Sequence, residues 1–187
     1  MKVIIIEGTD NTGKDTLISK IMEKYETMTV IHCGKPKSKT NPSEEQDNLF
    51  NFYADNIIDH KYDNTDVIIM NRSHIGEYVY GVLYRHRDPN EVLKMILDVD
   101  TKLIKANNVT VKYVQLECTS DKLLNRNEDG KSLSQGKAER IHKETELFTE
   151  AYVKSFLQKK LVYVNDGDNF RSREDIFNEV WEFITRT

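Results

Sequence analysis

The stretch Val3-Ile4-Ile5-Ile6-Glu7-Gly8-Thr9-Asp10-Asn11-Thr12-Gly13-Lys14-Asp15-Thr16 decides how this sequence is read. It opens on a continuous apolar run, Val3 to Ile6, the pattern of a strand covered on both faces in a parallel sheet. Leu17, Ile18, Ile21, Met22 and Tyr25 follow at helical spacing. Between strand and helix stands Gly-x4-Gly-Lys, a spacing that lets the backbone close into a loop with its N–H groups turned inward. The next helix adds its positive end, and anionic phosphate oxygens fit there. Gly8, Asn11, Thr12 and Gly13 then line the loop, and Lys14 reaches the terminal phosphates as a flexible point charge. Thr16 hydrogen-bonds a phosphate from the first helical turn. The usual pattern has Ser or Thr directly after the lysine as a magnesium ligand, whereas this chain has Asp15 there. Asp15, a hard oxygen donor, and Thr16 are therefore the expected metal ligands.

Working outward, four more apolar runs read as strands: Thr29 to His32, Val67 to Met70, Val111 to Leu116 and Leu161 to Val164. Helical stripes separate them. Pro42-Ser43-Glu44-Glu45-Gln46 carries a Ser-x-x-Gln capping box and predicts a helix through Phe50, Phe52, Tyr53, Ile57 and Ile58. Asp88-Pro89 starts another through Val92, Ile96, Leu103 and Ile104, and Ile176 to Ile184 makes the last. Strand and helix alternate along the whole length, which predicts a doubly wound α/β domain. The polar stretches at Gly34 to Asn41 and Asn127 to Lys137 interrupt this pattern. The first reads as a surface connection. The second, with two glycines and no apolar stripe, reads either as an inert loop or as a mobile lid.

At 187 residues, with roughly 150 per domain, one domain is expected. The 38% hydrophobic and 31% charged fractions are ordinary for a globular protein and speak against disorder or a membrane-spanning chain. Lys and Arg number 27 against 31 Asp and Glu, a net charge of −4, so the basic excess of a dedicated nucleic-acid binder is missing. A small-molecule partner is expected, without a stable nucleic-acid or membrane partner. Cys33 and Cys118 belong to no Cys-x-x-Cys pair and read as buried, reduced thiols. Met1 to Ile6 is too short for a signal-peptide core, so the expected compartment is the cytoplasm. The five histidines show no His-x-His or His-Glu-x-x-His spacing, and no Gly-x-Ser-x-Gly turn occurs.

Taken together, the Gly-x-Asp-x-x-Gly-Lys loop and four later segments resemble the thymidylate kinase branch of the P-loop nucleoside monophosphate kinases, including divergent bacteriophage members. The likeness covers nearly the whole chain. It implies an α/β P-loop kinase fold: a five-stranded parallel sheet with helices on both faces and a small lid at about 127–139. It also implies ATP- and Mg2+-dependent transfer to a deoxynucleoside monophosphate, most simply dTMP, and a homodimer formed through helices beside the acceptor pocket. Asp10 takes the place of the family carboxylate near the sugar and acceptor phosphate. Phe52-Tyr53-Ala54-Asp55-Asn56 is similar to Phe-Tyr-Ala-Ala-Arg, which puts Phe52 on the base and Asn56 where the family has its base-reading arginine. Asn71-Arg72-Ser73 is similar to the Asp-Arg pair at the end of a strand. Arg72 then clamps a phosphate bidentately, and Asp15 offsets the charge lost at Asn71. Gly76-Glu77-Tyr78-Val79-Tyr80-Gly81 resembles Ser-x-x-Ala-Tyr-Gln, with Gly76 in the substrate wall, Tyr80 beneath the sugar and Gly81 replacing a base-reading polar residue. Arg126, after Leu116 to Asn125, takes the position that stacks on adenine. Lys131, Lys137 and Arg140 are the cations able to close over the phosphates, Lys131 and Arg140 foremost.

Two other readings follow from the same residues. Asn71-Arg72-Ser73 also resembles the Glu-Arg-Ser of deoxynucleoside kinases, so the acceptor could be a hydroxyl on a deoxynucleoside or hydroxymethylpyrimidine, with Asp10 as base. A nucleotide-binding switch without turnover is the third, against which Lys14 and the cationic lid speak. Val164 to Asn169 reads as packing beside adenine or as an acidic turn. Asp100, on an apolar stripe, either caps a helix–helix contact or approaches the acceptor pocket, and the structural role is favoured.

Overall fold

The computed structural model describes residues 1–186 apart from 60, 63, 108, 125–132, 135 and 136. Its elements run β1 (Lys2–Gly8), α1 (Lys14–Met22), β2 (Met28–His32), α2 (Pro42–Ile58), β3 (Val67–Asn71), α3 (Glu77–Arg85), α4 (Pro89–Lys105) and β4 (Thr110–Glu117). They continue with α5 (Asp121–Leu124), α6 (Ala138–Lys154), β5 (Gln158–Tyr163), β6 (Asn165–Asp166), β7 (Asn169–Phe170) and α7 (Arg173–Thr185). Strands β1 to β5 make one sheet in the order β2-β3-β1-β4-β5, every pairing parallel. β1 is central, with Val3 level with Ile68 on β3 and Val111 on β4.

The period-2 alternation of the strands divides the core in two. Val3, Ile5, Ile68, Met70 and Tyr113 face one way, beneath α2, α3, α4 and α6. Ile4, Ile6, Ile69, Val114 and Leu116 face the other, beneath α1, α5 and α7. Burial on both faces is why the β1 and β3 sequences read as unbroken apolar runs. The sheet with its two helical layers is the expected α/β architecture, and among the described residues no helix is long and apolar enough to cross a membrane.

Two local expectations need correction. The Ser43–Gln46 capping box does not form, because Pro42, with its preset φ, starts α2 two residues earlier and puts Asn41 at the cap, where its side chain donates to Glu44 and caps no helix amide. Gln46 instead donates to the Gly34 carbonyl at 2.9 Å, and Glu45 accepts from the Lys37 and Ser38 amides, so this turn ties down the 34–41 connection. The last strand of the sheet begins at Gln158, not Leu161. It is an edge strand, where lysines are tolerated: Lys159 bonds the Val153 and Ser155 carbonyls and Lys160 pairs with Glu179. Val164 to Asn169 forms the β6–β7 hairpin around Gly167, at φ +53°. The Asp88 cap does form, its carboxylate accepting from the Asn90 and Glu91 amides. Cys33 and Cys118 are buried and unpaired with one another.

Candidate functional site

The carboxyl ends of β1 and β3, adjacent in the sheet, carry the two halves of the site, the position where open α/β sheets take ligands. The first half is backbone. Gly8 sits at φ +140°, and a Cβ there would lie 2.3 Å from the Leu116 carbonyl oxygen of β4, so only glycine fits. Asn11 and Gly13 take left-handed conformations, φ +65° and +82°, and curl the chain around. Thr12 Oγ1 braces the curl by donating to the Thr9 carbonyl at 2.8 Å. Helix α1 then starts at Lys14 with Gly13 as a cap that offers no side chain, which leaves first-turn N–H groups for an anion. The buried Lys14 ammonium donates to the Gly8 and Thr9 carbonyls at 2.8 and 2.6 Å. Burial, with the Arg72 guanidinium adding to it, pulls its pKa down to about 8. It has neutral partners where a phosphate would supply charge.

The second half is made of side chains. Arg72, directly after β3, adopts a left-handed φ of +66°, uncommon for a residue other than glycine. Its Nη2 donates to Asp10 Oδ1 at 2.6 Å, and its guanidinium lies 4.8 Å from the centre of the Tyr80 ring. Tyr80 in turn stacks on Tyr84 and meets Phe148 edge-on, which places α6 behind it. Asn71 Nδ2 donates to Asp15 Oδ1 at 2.8 Å, so the two residues that depart from the family pattern touch. Thr16 is half-buried beside them in the first turn of α1.

Two buried carboxyls that the sequence reading did not single out complete this half. Glu7 lies at the end of β1 with no exposure. Its Oε1 accepts from the Ser73 amide (2.6 Å), the Ser73 hydroxyl (2.9 Å) and the Gly76 amide (3.2 Å), while its Oε2 has no hydrogen-bond partner among the described residues. Burial raises the Glu7 pKa against the pull of Ser73, Arg72 and Lys14. Glu144 of α6 accepts from the Tyr84 hydroxyl at 2.5 Å, and burial lifts its pKa to about 7. Arg140, one turn earlier and half-buried, acts on Tyr84 with its charge. The Tyr80 hydroxyl and Thr9 Oγ1 are also buried without a partner among the described residues. Each carboxyl left a trace in the sequence: Glu7 is the one charge at the end of a fully apolar strand, and Glu144 falls between Ile141 and Phe148 on a core-facing stripe.

The structure thus brings together Asp10, Lys14, Asp15, Arg72 and Tyr80, with Arg140 near Tyr84. Phe52 is not among them. It is 57% exposed and points away from the core, because Phe50, Ala54 and Ile57 hold the inner face of α2 and Phe52 lies roughly 160° around from Phe50. Phe52 is therefore no core residue, and its role as a base platform is tested below. Asn56 is buried near the end of α2. Gly76 packs against Glu7: a Cβ there would stand 3.1 Å from the carboxylate. Next to it, Glu77 pairs with Arg85 and with Arg87, which also grips Asp47 bidentately at 2.8 Å, an unforeseen ion cluster joining α2 and α3. In the β6–β7 hairpin, Asn165 accepts from the Thr119 amide and Asp168 from the Ser120 hydroxyl, which fixes the hairpin to the loop after β4. Arg126, Lys131 and most of the expected lid lie outside the described residues. Asp100 is fully buried and engages His74, Ser155 and Phe156 rather than the acceptor side.

No protein-family model matches the sequence, and no curated protein matches it. Solved structures do. The Bacillus subtilis YorR protein, in complex with phosphorylated GDP, is similar over 97% of this chain and 95% of its own, with a TM-score of 0.67 at 18% identity. Thymidylate kinase from Candida albicans is similar over 97% of this chain and 90% of its own, with a TM-score of 0.57 at 17% identity. Polyphosphate kinase 2 from Arthrobacter aurescens is similar over 86% of this chain but 60% of its own, with a TM-score of 0.57 at 14% identity. The chain shares the fold of these three proteins, a parallel α/β sheet with a glycine loop after its first strand. The left-handed turns of the glycine loop and the neutral-partnered Lys14 suit an anion such as a phosphate group. Among the described residues no group of three or more His, Cys, Asp or Glu is placed to hold a metal alone. A magnesium ion would therefore share its ligands between Asp15 or Thr16, phosphate oxygens and water.

Proposed function

We propose that the chain transfers the γ-phosphoryl group of ATP, with Mg2+, to the phosphate of a deoxynucleoside monophosphate, dTMP being the first acceptor to test. The observation that carries this reading is Arg72: a guanidinium held at the carboxyl end of β3 by Asp10 and the Tyr80 ring, across from the Lys14 loop. Two phosphate-binding groups on adjacent strands suit a donor and an acceptor that are both phosphorylated. Lys14 and the loop amides hold the donor tail. An arriving acceptor phosphate competes with Asp10 for Arg72 and frees that carboxylate toward the sugar. Tyr80 fills the space beneath the sugar and disfavours a 2′-hydroxyl. Arg140, with the lid cations Lys131 and Lys137, closes charge over the transferring group, and Arg126 packs on the adenine. Bound Mg2+, on Asp15 and Thr16, supplies charge neutralisation on the phosphate oxygens. Phosphoryl transfer needs positioning and charge neutralisation more than covalent help from the protein, which is what these groups offer.

A second reading, transfer to a hydroxyl, has one observation in its favour. Asp10 is engaged by Arg72, but Glu7 Oε2 is buried without a partner among the described residues, and burial has made this carboxyl more basic. Incubation with γ-labelled ATP and a panel of deoxynucleosides and their monophosphates separates the two. Label on dTMP or another monophosphate is expected. Label on nucleosides alone would replace the first reading by the second, and label on neither would remove both. The homodimer is part of the proposal and is checked by sedimentation equilibrium.

A further inference from the structure

Two residues beyond Arg72 lies a polar cluster that the phosphoryl-transfer reading does not use. His74 is 1% exposed and Asp100, on α4, is fully buried. His74 Nε2 is 2.7 Å from Asp100 Oδ1, and Asp100 Oδ2 accepts from the Ser155 hydroxyl at 2.7 Å and the Phe156 amide at 2.9 Å. The Phe50 ring of α2 closes on the imidazole edge-on. Asp100 of α4 and Phe50 of α2 thus meet at one histidine, and residues 155 and 156 hold the far oxygen of Asp100. A buried polar contact of this kind is weak support for stability, since the desolvation of its groups offsets their attraction, so its use is better sought in what it holds in place.

What it holds is the turn that carries Arg72. That residue sits in the left-handed region, a conformation a side-chain-bearing residue leaves unless its surroundings hold it. On one side the turn is fixed by Glu7 through Ser73 and Gly76. On the other, His74 is its side-chain anchor to the helical layer. We propose that the His74–Asp100 pair is a positioning clamp for Arg72, holding the turn so that the guanidinium faces the acceptor. Ser155 and the Phe156 amide orient the Asp100 carboxylate for that task. The clamp rests on the reading of Arg72 as an acceptor-phosphate ligand, yet its effect on the Arg72 side chain is measurable without any substrate.

The test uses the full chain, with dTMP and ATP-Mg affinities measured separately by calorimetry and the Arg72 Nε–H resonance followed by NMR. Asp100→Asn is expected to weaken dTMP binding about tenfold or more and to leave ATP-Mg within about twofold. It is also expected to release Arg72 Nη2 from Asp10, and the freed guanidinium is seen as a shifted Nε–H resonance with faster exchange. His74→Gln, whose amide can still donate to Asp100, restores most of both signals, whereas His74→Leu does not. In an Arg72→Ala background Asp100→Asn changes dTMP affinity by less than about twofold. A lowered Tm with unchanged dTMP affinity and an unchanged Arg72 resonance would overturn the clamp, as would an equal loss in the Arg72→Ala background. If the unmodified protein binds no monophosphate, the acceptor reading fails by itself and the Arg72 resonance alone decides the clamp. If Asp100→Asn does not fold, Ser155→Ala, which removes one of the bonds to Asp100, must show the same Arg72 release in weaker form, and its absence counts against the proposal.

Discussion

The glycine loop and the Arg72 wall meet at the Asp10–Arg72 ion pair, yet they are built by opposite means. Gly8, Asn11 and Gly13 form the loop with main-chain geometry, and every residue that matters falls within a few positions of the next. The wall is a set of side chains whose partners are far apart along the chain: Glu7 with Ser73, 66 residues on, Asp10 with Arg72, 62 on, and Tyr84 with Glu144, 60 on. A site made of local backbone tolerates drift in everything around it. A site made of buried long-range side-chain bonds depends on the packing of each layer that bears it, and it can be re-tuned for another acceptor one residue at a time.

The sharpest way to break this comparison is at the loop. Lys14→Met should lower kcat by about 10³-fold, because a preorganised charge on the transferring group is lost, while the fold by circular dichroism is retained. Less than a tenfold loss in steady-state assays would mean that the loop is not the donor site. On the wall, Phe50→Ala should cost about 3–5 kcal/mol in urea unfolding, the range for a large buried aromatic.

The next effect in size concerns Glu144. Its folded pKa of about 7 stands above the ordinary 4.5 of the unfolded chain, so the folded state binds the extra proton between those values. The part of stability that Glu144 controls is therefore present at low pH and lost as pH rises from about 4.5 to about 7. A shift of that size corresponds to at most about 3 kcal/mol. Unfolding of the unmodified protein and of Glu144→Gln, compared at pH 5 and pH 7.5, should show the slope in the former and a flatter profile in the latter. Equal slopes would place Glu144 in a wetter setting than described.

How much of this was legible follows the same division. The loop could be read from spacing, since only glycine takes φ +140° against the Leu116 carbonyl and that requirement is written in one residue. The strands were legible because burial on both faces leaves no polar position between Lys2 and Glu7 in β1 or before Asn71 in β3. Asp88 announced its helix because its capping partners are two and three residues away. The Ser43–Gln46 box misled because the same residues satisfied a competing bond, Gln46 to Gly34, twelve positions back. Phe50 and Phe52 both fit an apolar stripe, and the choice of inner face depends on Ala54 and Ile57 agreeing in phase with Phe50. Glu7, Glu77 and Glu144 were legible only as anomalies, since burial of a charge depends on which distant group arrives to meet it. The smallest prediction comes from this contrast. Phe52→Ala, at an exposed position, should change stability by no more than about 0.5 kcal/mol and leave the acceptor KM unaltered. A large rise in that KM would return Phe52 to the acceptor site.

The central claim, that two phosphate-binding halves face one another across Asp10 and Arg72, is tested most directly by calorimetry with adenosine and thymidine joined through five phosphates, a ligand that occupies both halves at once. The account predicts binding at least about a hundredfold tighter than ATP alone, with most of that gain lost in Arg72→Ala, since joining two bound pieces converts the second event into an intramolecular one. Affinity no better than that of ATP, or a gain that survives Arg72→Ala intact, would contradict it.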